Sequence, residues 1–155
     1  MKSEHITNTA LETKNRGKEL AKKILREQAV TKAQVLALRG DLGGGKTTFL
    51  QGFAKGLGIK QKILSPTFVI LKKFRIKHSS FKFFYHIDCY RIKKPKEILD
   101  LGFKKIIANP KNIITVEWSD RIKKLLPQNT IFINFEFYNK NKRKIKTKWP
   151  KKKNV

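Results

Sequence analysis

The sequence predicts an α/β fold: a mixed β-sheet with flanking helices in three layers, closed by a C-terminal β-hairpin. Three observations carry this expectation. Helix-like and strand-like segments alternate along the 155 residues. "NIITVEW" (112–118) is a short apolar run of the kind that a strand covered on both faces requires. Between them, "LRGDLGGGKTTFL" (38–50) joins an apolar strand-like run to a helix-like one through a cluster of glycines.

Taken in order, Thr9-Ala10-Leu11-Glu12 has the form of a capping box opening a first helix, and Leu20, Ala21, Ile24 and Leu25 give that helix an apolar face. "AQVLALRG" (33–40) is a strand ending in glycine. Downstream, Phe49, Leu50, Phe53, Ala54 and Leu57 share one helical face, and Gly56 and Gly58 supply a stop. "SPTFVILKKF" (65–74) reads as a strand beginning after Pro66, and "FKFFYHIDCYRI" (81–92) as another. "KPKEILDLGFKKIIANP" predicts a short helix ending by Pro110 and "DRIKKLLP" a second one. "TIFINFEFY" and "RKIKTKW" both alternate, the latter with Ile145, Thr147 and Trp149 on one side. Joined through "NKNK", they predict a hairpin.

The glycine cluster fits G-x-x-x-x-G-K-[ST] at Gly40, Gly45, Lys46 and Thr47. A strand before it and a helix after it are the setting a phosphate-holding loop requires, so the core is P-loop NTPase-like. Glycines let successive N–H groups face an anion without a Cβ in the way, and the positive end of the following helix reinforces the site. The stretch expected to hold a nucleotide runs through Asp41, Leu42, Gly43, Gly44, Gly45, Lys46, Thr47 and Thr48. Lys46 suits the terminal phosphates and the Thr47 hydroxyl a bridging magnesium ion, making ATP and Mg2+ the expected ligands.

Length and composition bound the rest. A chain this long suits one domain, expected over residues 1–139, with residues 140–155 a basic extension that contributes a terminal strand and a disordered tail. No apolar run approaches a membrane span, and the polar N-terminus lacks a signal-peptide core. Cys89 is the only cysteine, which excludes an internal disulfide and a cysteine metal site. A cytoplasmic protein of bacterial type is the economical expectation. The formal charge of +26 comes from 30 lysines and 7 arginines spread along the chain. Such lysines read either as an attraction for RNA phosphates or as compositional drift, with drift the weightier reading. Residues 140–155 stand out, with nine basic residues and no acid.

A P-loop needs a second magnesium ligand, usually an acid ending a neighbouring buried strand, and Glu117 has that position. A surface glutamate just past a core strand has the same spacing. Asp88 interrupts an apolar stretch, and a buried unpaired carboxylate is costly. It is therefore either paired, as with Arg91, or aimed into the site. A lone histidine beside a strand, such as His86, reads by default as a packed residue, and Trp118 as a core or surface aromatic.

"GDLGGGKTTF", "SPTF", "YHIDCYR", Leu101-Gly102 and "VEWSD", in this order and at these separations, resemble the TsaE family, small bacterial P-loop ATPases that take part in making threonylcarbamoyladenosine in tRNA. The likeness spans roughly residues 9–137, and Thr13 followed by Gly17 resembles the family's first-helix pattern. Departures are Gly44 where alanine is usual, Ile87 and Cys89 where a phenylalanine and a leucine are usual, and Ser119 where proline is usual. The resemblance implies a magnesium-dependent accessory ATPase that acts with TsaD and TsaB, TsaD being the enzyme that transfers the threonylcarbamoyl group. It implies Thr13 beside the nucleotide, Thr67 and Trp118 as sensors in the "SPTF" and "EWSD" loops, and Lys46, Asp88 and Glu117 as catalytic residues. Thr47 and Glu117 are the implied metal ligands. RNA is expected only indirectly or by weak attraction to the basic surface, with no DNA and no membrane partner. The competing reading on the same core is a small-molecule or nucleoside kinase. It would need an acceptor pocket and an arginine-rich lid, for which the chain has few arginines and no spare segment.

Overall fold

The computed structural model describes residues 1–27, 31–41, 43–64 and 70–151. In chain order the elements are β1 (Lys2–Thr7), α1 (Ala10–Arg26), β2 (Gln34–Arg39), α2 (Lys46–Gly56), β3 (Leu71–Arg75) and β4 (Phe83–Asp88). Then come α3 (Pro95–Leu99), α4 (Phe103–Ala108), β5 (Asn112–Glu117), a 3-10 helix (Ser119–Leu125), β6 (Ile131–Asn139) and β7 (Lys142–Lys148). The strands form one mixed sheet in the order β1-β7-β6-β2-β5-β4-β3. Pairings among β6, β2, β5 and β4 are parallel, and those of β3, β7 and β1 are antiparallel.

Three layers result, as the alternation of segments implies. Even positions of β4 and odd positions of β5 bury Phe84 and Ile113 on one face, where they join Leu36, Leu38 and the apolar sides of α1 and α2. On the other face Tyr85, Ile87, Ile114 and Val116 pack with Ile98, Phe103 and Ile122 from α3, α4 and the 3-10 helix. Asp88 and Glu117 fall on the α2 side by the same alternation, and that brings the acids to the glycine loop.

Helix α1 opens at Thr9, whose hydroxyl accepts from Glu12 N at 3.1 Å, while the Glu12 carboxylate accepts from Asn8 N at 2.7 Å. This is the expected box with its return bond one residue earlier. Helices α1 and α2 approach closely at glycines. A Cβ at Gly17 would lie 2.1 Å from the Phe49 carbonyl oxygen, and one at Gly52 1.9 Å from that of Lys14. The interval from Thr13 to Gly17 thus has a packing reason: Gly17 lets α2 in, and Thr13, one turn earlier, is held beside Gly45. Gly56 belongs to this contact and not to the helix stop, since its Cβ would meet the Lys18 carbonyl oxygen at 2.6 Å. The stop is at Gly58, left-handed at φ 81°, with Ile59 N donating to Ala54 O and Gly58 N to Lys55 O.

Three elements depart from expectation. The polar N-terminus forms β1, which pairs along β7 from Lys2↔Lys148 to Thr7↔Arg143. The helix expected before Pro110 is two short ones, separated at Gly102 with φ 83°. Strand β7 lies inside the sheet between β6 and β1, and Ile145 is buried there. The "SPTF" segment, with Thr67, and Leu42 of the glycine loop lie outside the described residues, so the strand expected from residue 65 is seen only as β3. Among the described residues no helix is long and apolar enough to cross a membrane.

Candidate nucleotide site

The site lies at the carboxyl ends of β2, β5 and β4, where open α/β sheets hold their ligands. Strand β2 ends at Arg39, the chain turns through Gly40 (φ 138°) and Gly43 (φ 77°), and Gly45 (φ 96°) serves as the N-cap of α2. No side chain caps this helix start. Its first N–H groups are therefore left for an anion, the role the glycine pattern predicts.

Lys46, at the first position of α2, is buried and bends back over the loop. Its ammonium donates to the carbonyl oxygens of Gly40 and of Asp41, the latter at 3.0 Å, and lies 5.5 Å from the centre of the Trp118 ring. Burial pulls its pKa below the ordinary lysine value, and the charges of Glu117, Asp41 and Asp88, in that order, oppose the shift. All three acids thus act electrostatically on Lys46.

Parallel register sets Leu38 of β2 beside Glu117 of β5, and Glu117 beside Asp88 of β4. Both acids are buried, Asp88 at 8% exposure and Glu117 at 3%. Asp88 accepts from Tyr90 N at 2.9 Å, a turn that tips the chain away after the strand. Burial raises the Asp88 pKa, Tyr90 N–H lowers it and the Glu117 charge raises it further. Such a carboxyl accepts a proton more readily than an ordinary aspartate does. The neighbouring Cys89 thiol is pushed up to about 12 by burial and is chemically quiet.

Glu117 meets His86, whose Nε2 is 2.8 Å from Glu117 Oε2. His86 was read from sequence as packing. It is buried, but its partner is an acid of the site. The signal was the interval His86-Ile87-Asp88, which puts both polar groups on one strand face. Arg143 was also missed. Its Nε donates to Gly43 O at 3.2 Å and its guanidinium lies 4.2 Å from the centre of the Phe137 ring. Thr7 is a third such residue, its hydroxyl 2.7 Å from that of Thr13. Arg143 and Thr7 depend on strand pairing, which local spacing does not reveal.

Trp118 follows β5 with φ 55°, the single positive φ outside glycine among the described residues. A bulky residue held there is uncommon and marks sites where neighbours fix the backbone. Here Tyr90 packs on the ring with centroids 5.2 Å apart, and buried Ser119 accepts from Arg39 Nε at 3.4 Å. Ser119, at the position where proline is usual, thereby ties the loop to β2.

The structure thus gathers Thr13, Asp41, Gly43, Gly44, Gly45, Lys46, Thr47 and Thr48 around the loop, with Asp88, Glu117 and Trp118 behind it. The oxygen donors are a hydroxyl at Thr47 and carboxylates at Glu117 and Asp88. Among the described residues no three His, Cys, Asp or Glu side chains gather as a self-sufficient metal group. Hard oxygen donors too few to hold an ion alone fit magnesium that arrives with phosphate and keeps part of its water, and do not fit zinc.

Comparison with known proteins gives the family. A family model described as "Threonylcarbamoyl adenosine biosynthesis protein TsaE" matches residues 7–145. A Rickettsia conorii protein named tRNA threonylcarbamoyladenosine biosynthesis protein TsaE is 40% identical over 140 residues, which are 90% of this chain and 74% of that protein. A Bacillus subtilis protein of the same name is 42% identical over 99 residues, 64% of this chain and 59% of its own. The crystal structure of Bacillus subtilis YdiB superimposes with a TM-score of 0.76 at 30% identity, covering 97% of this chain and 87% of that one. With a family match running from the end of β1 into β7, and relatives about two-fifths identical over the aligned residues, this chain belongs to the TsaE family.

Proposed function

We propose that the chain binds ATP with Mg2+, hydrolyses it slowly, and serves as an accessory ATPase in threonylcarbamoyl modification of the tRNA adenosine next to the anticodon. It works in the cytoplasm with TsaD and TsaB and does not itself transfer the threonylcarbamoyl group. The observation that carries this reading is an uncapped glycine loop whose Lys46 lies within electrostatic reach of Glu117 and Asp88, the buried acids that end adjacent strands.

In this reading the loop N–H groups hold the β-phosphate, and Lys46 exchanges its bonds to Gly40 O and Asp41 O for the terminal phosphate oxygens. Thr47 and Glu117 hold the metal, which when bound supplies positive charge to the phosphate oxygens. Asp88 orients the attacking water and takes up its proton, a role its raised pKa favours. Exchange of Lys46 away from Trp118 couples phosphate occupancy to the loop after β5, and through it to a partner surface. The test is ATP hydrolysis measured alone and with the TsaD–TsaB pair. Stimulation by the pair is expected; phosphate transfer to an added acceptor with no such stimulation would replace this reading with a kinase. Lys46→Ala should abolish tight ATP binding with the fold retained, and calorimetry showing parental affinity would overturn the nucleotide assignment.

A further inference from the structure

Behind the loop, one contact restricts what Glu117 can do. His86 Nε2 and Glu117 Oε2 are 2.8 Å apart, with the two side chains 1% and 4% exposed. With the Glu117 carboxylate as acceptor, Nε2 is the atom that carries the hydrogen of this bond. His86 Nδ1 has no hydrogen-bond partner among the described atoms, so the Nε2 contact is the hydrogen bond that orients the ring within its packing. A bond this buried has no water to replace it, and breaking it strands both groups.

We propose that His86 is a positioning residue that holds one oxygen of Glu117 and leaves the other free for a cation, and that this bias toward one-oxygen coordination makes the site favour Mg2+ over Ca2+. The inference rests on the reading of Glu117 as a metal ligand. Magnesium takes near-octahedral geometry with one or two carboxylates and several waters, whereas calcium takes six to eight oxygens and often both oxygens of one carboxylate. A cation held by both oxygens would compete with His86 for Oε2, so the hydrogen bond favours coordination through the other oxygen. Outer-shell partners of this kind fix the ligand's direction, and removing them typically costs ten- to a hundredfold in metal affinity.

The experiment is binding of a non-hydrolysable ATP analogue, followed by calorimetry in EDTA, Mg2+ or Ca2+, for the parent, His86→Leu and His86→Gln. Affinity in EDTA should be equal in all three. His86→Leu should need about tenfold more Mg2+ for the same tightening, with a smaller loss for Ca2+, so that the preference for magnesium narrows. His86→Gln, whose amide nitrogen can donate from a similar place, should restore the parental preference, which a merely space-filling histidine would not explain. An unchanged preference in His86→Leu, or a glutamine variant as impaired as the leucine one, overturns the proposal. Should His86→Leu not fold, nitrogen NMR of the parent decides: the Nε2–H form must persist when the magnesium–analogue complex is added, and its loss overturns the proposal. A parent that binds no analogue under any condition overturns the nucleotide reading itself. Normal binding with a metal preference indifferent to His86 removes this inference alone.

Discussion

The parallel centre of the sheet and its antiparallel wing carry opposite loads. Strands β2, β5 and β4 are buried on both faces, and the polar side chains they bury at their carboxyl ends are His86, Asp88, Thr115 and Glu117. Strands β6, β7 and β1 are less buried: they bury Ile131, Ile133, Phe135, Ile145 and Thr7, β7 carries the wing's lysines apart from Lys2, and none of the three holds an acid at the site. Yet the wing reaches the glycine loop, through Arg143 on Gly43 and through Thr7 on Thr13. The centre supplies reactive groups, and the wing holds the loop and first helix against them. Buried polar groups concentrate where a low local dielectric strengthens them, while the scaffold that fixes them can stay wet.

Breaking the wing should have the largest effect. Deleting residues 140–155 removes β7, strips β1 of its partner, and takes buried Ile145 and half-buried Trp149 from the α1 side. Burying one such isoleucine contributes roughly 1.5–3 kcal/mol, so the melting temperature should fall by at least about 10 °C. Trimming only residues 151–155 should leave it unchanged, and calorimetric scans of the two truncations separate strand from tail.

Breaking the centre should do the reverse. Asp88→Ala or Glu117→Ala should slow hydrolysis by at least ~10²-fold, the scale of positioning and acid–base groups, with the fold kept. Near-parental turnover by Asp88→Ala would reduce its bond to Tyr90 N to a turn and nothing more.

A subtler effect sharpens the contrast, because the centre holds its acids at a cost. The folded-state pKa of Asp88 is raised above 3.8, so the native chain binds this proton more tightly than the unfolded chain. Stability from this group is therefore full below the ordinary aspartate range and is lost as pH rises through the elevated value. Asp88→Asn removes that loss, so the variant should melt higher than the parent at neutral pH, the gap closing as pH falls below about 4. A gap that widens in acid would contradict the assignment.

Smallest is the effect of the terminal lysines. RNA association should be weak, indifferent to sequence, and unnecessary for hydrolysis. Without Lys151, Lys152 and Lys153 the slope of log affinity against log salt should fall by no more than about 2. A salt-insensitive, sequence-selective tRNA complex of this chain alone would show the basic surface to be a true reader.

The same division decided what could be read from sequence. Strands β2 and β5 and helix α2 were legible because burial on both faces forces continuous apolar runs and a helix-spaced face. Strand β1, with the sequence KSEHIT, has a single large aliphatic residue and exists through its pairing with β7. Its formation depends on residues some 140 positions away, which no local pattern encodes. The break between α3 and α4 lay in Gly102, whose left-handed φ only the folded chain demands. At the site, Lys46 and Thr47 followed from motif spacing, and Glu117 and Asp88 from acids that end or interrupt apolar runs, whereas His86 and Arg143 matter through neighbours that only sheet register supplies.

The chain's two tryptophans divide between these regions, and this gives the molecule an optical handle. Trp149 sits at the wing with the Lys23 ammonium 4.2 Å from its ring centre, while Trp118 has Lys46, Tyr90 and Arg121 around it. In a Trp149→Phe background all indole emission comes from the loop behind the phosphate site. The proposed exchange of Lys46 from the Trp118 face to a phosphate should alter that emission, and stopped-flow on unlabelled protein would then time the arrival and departure of nucleotide.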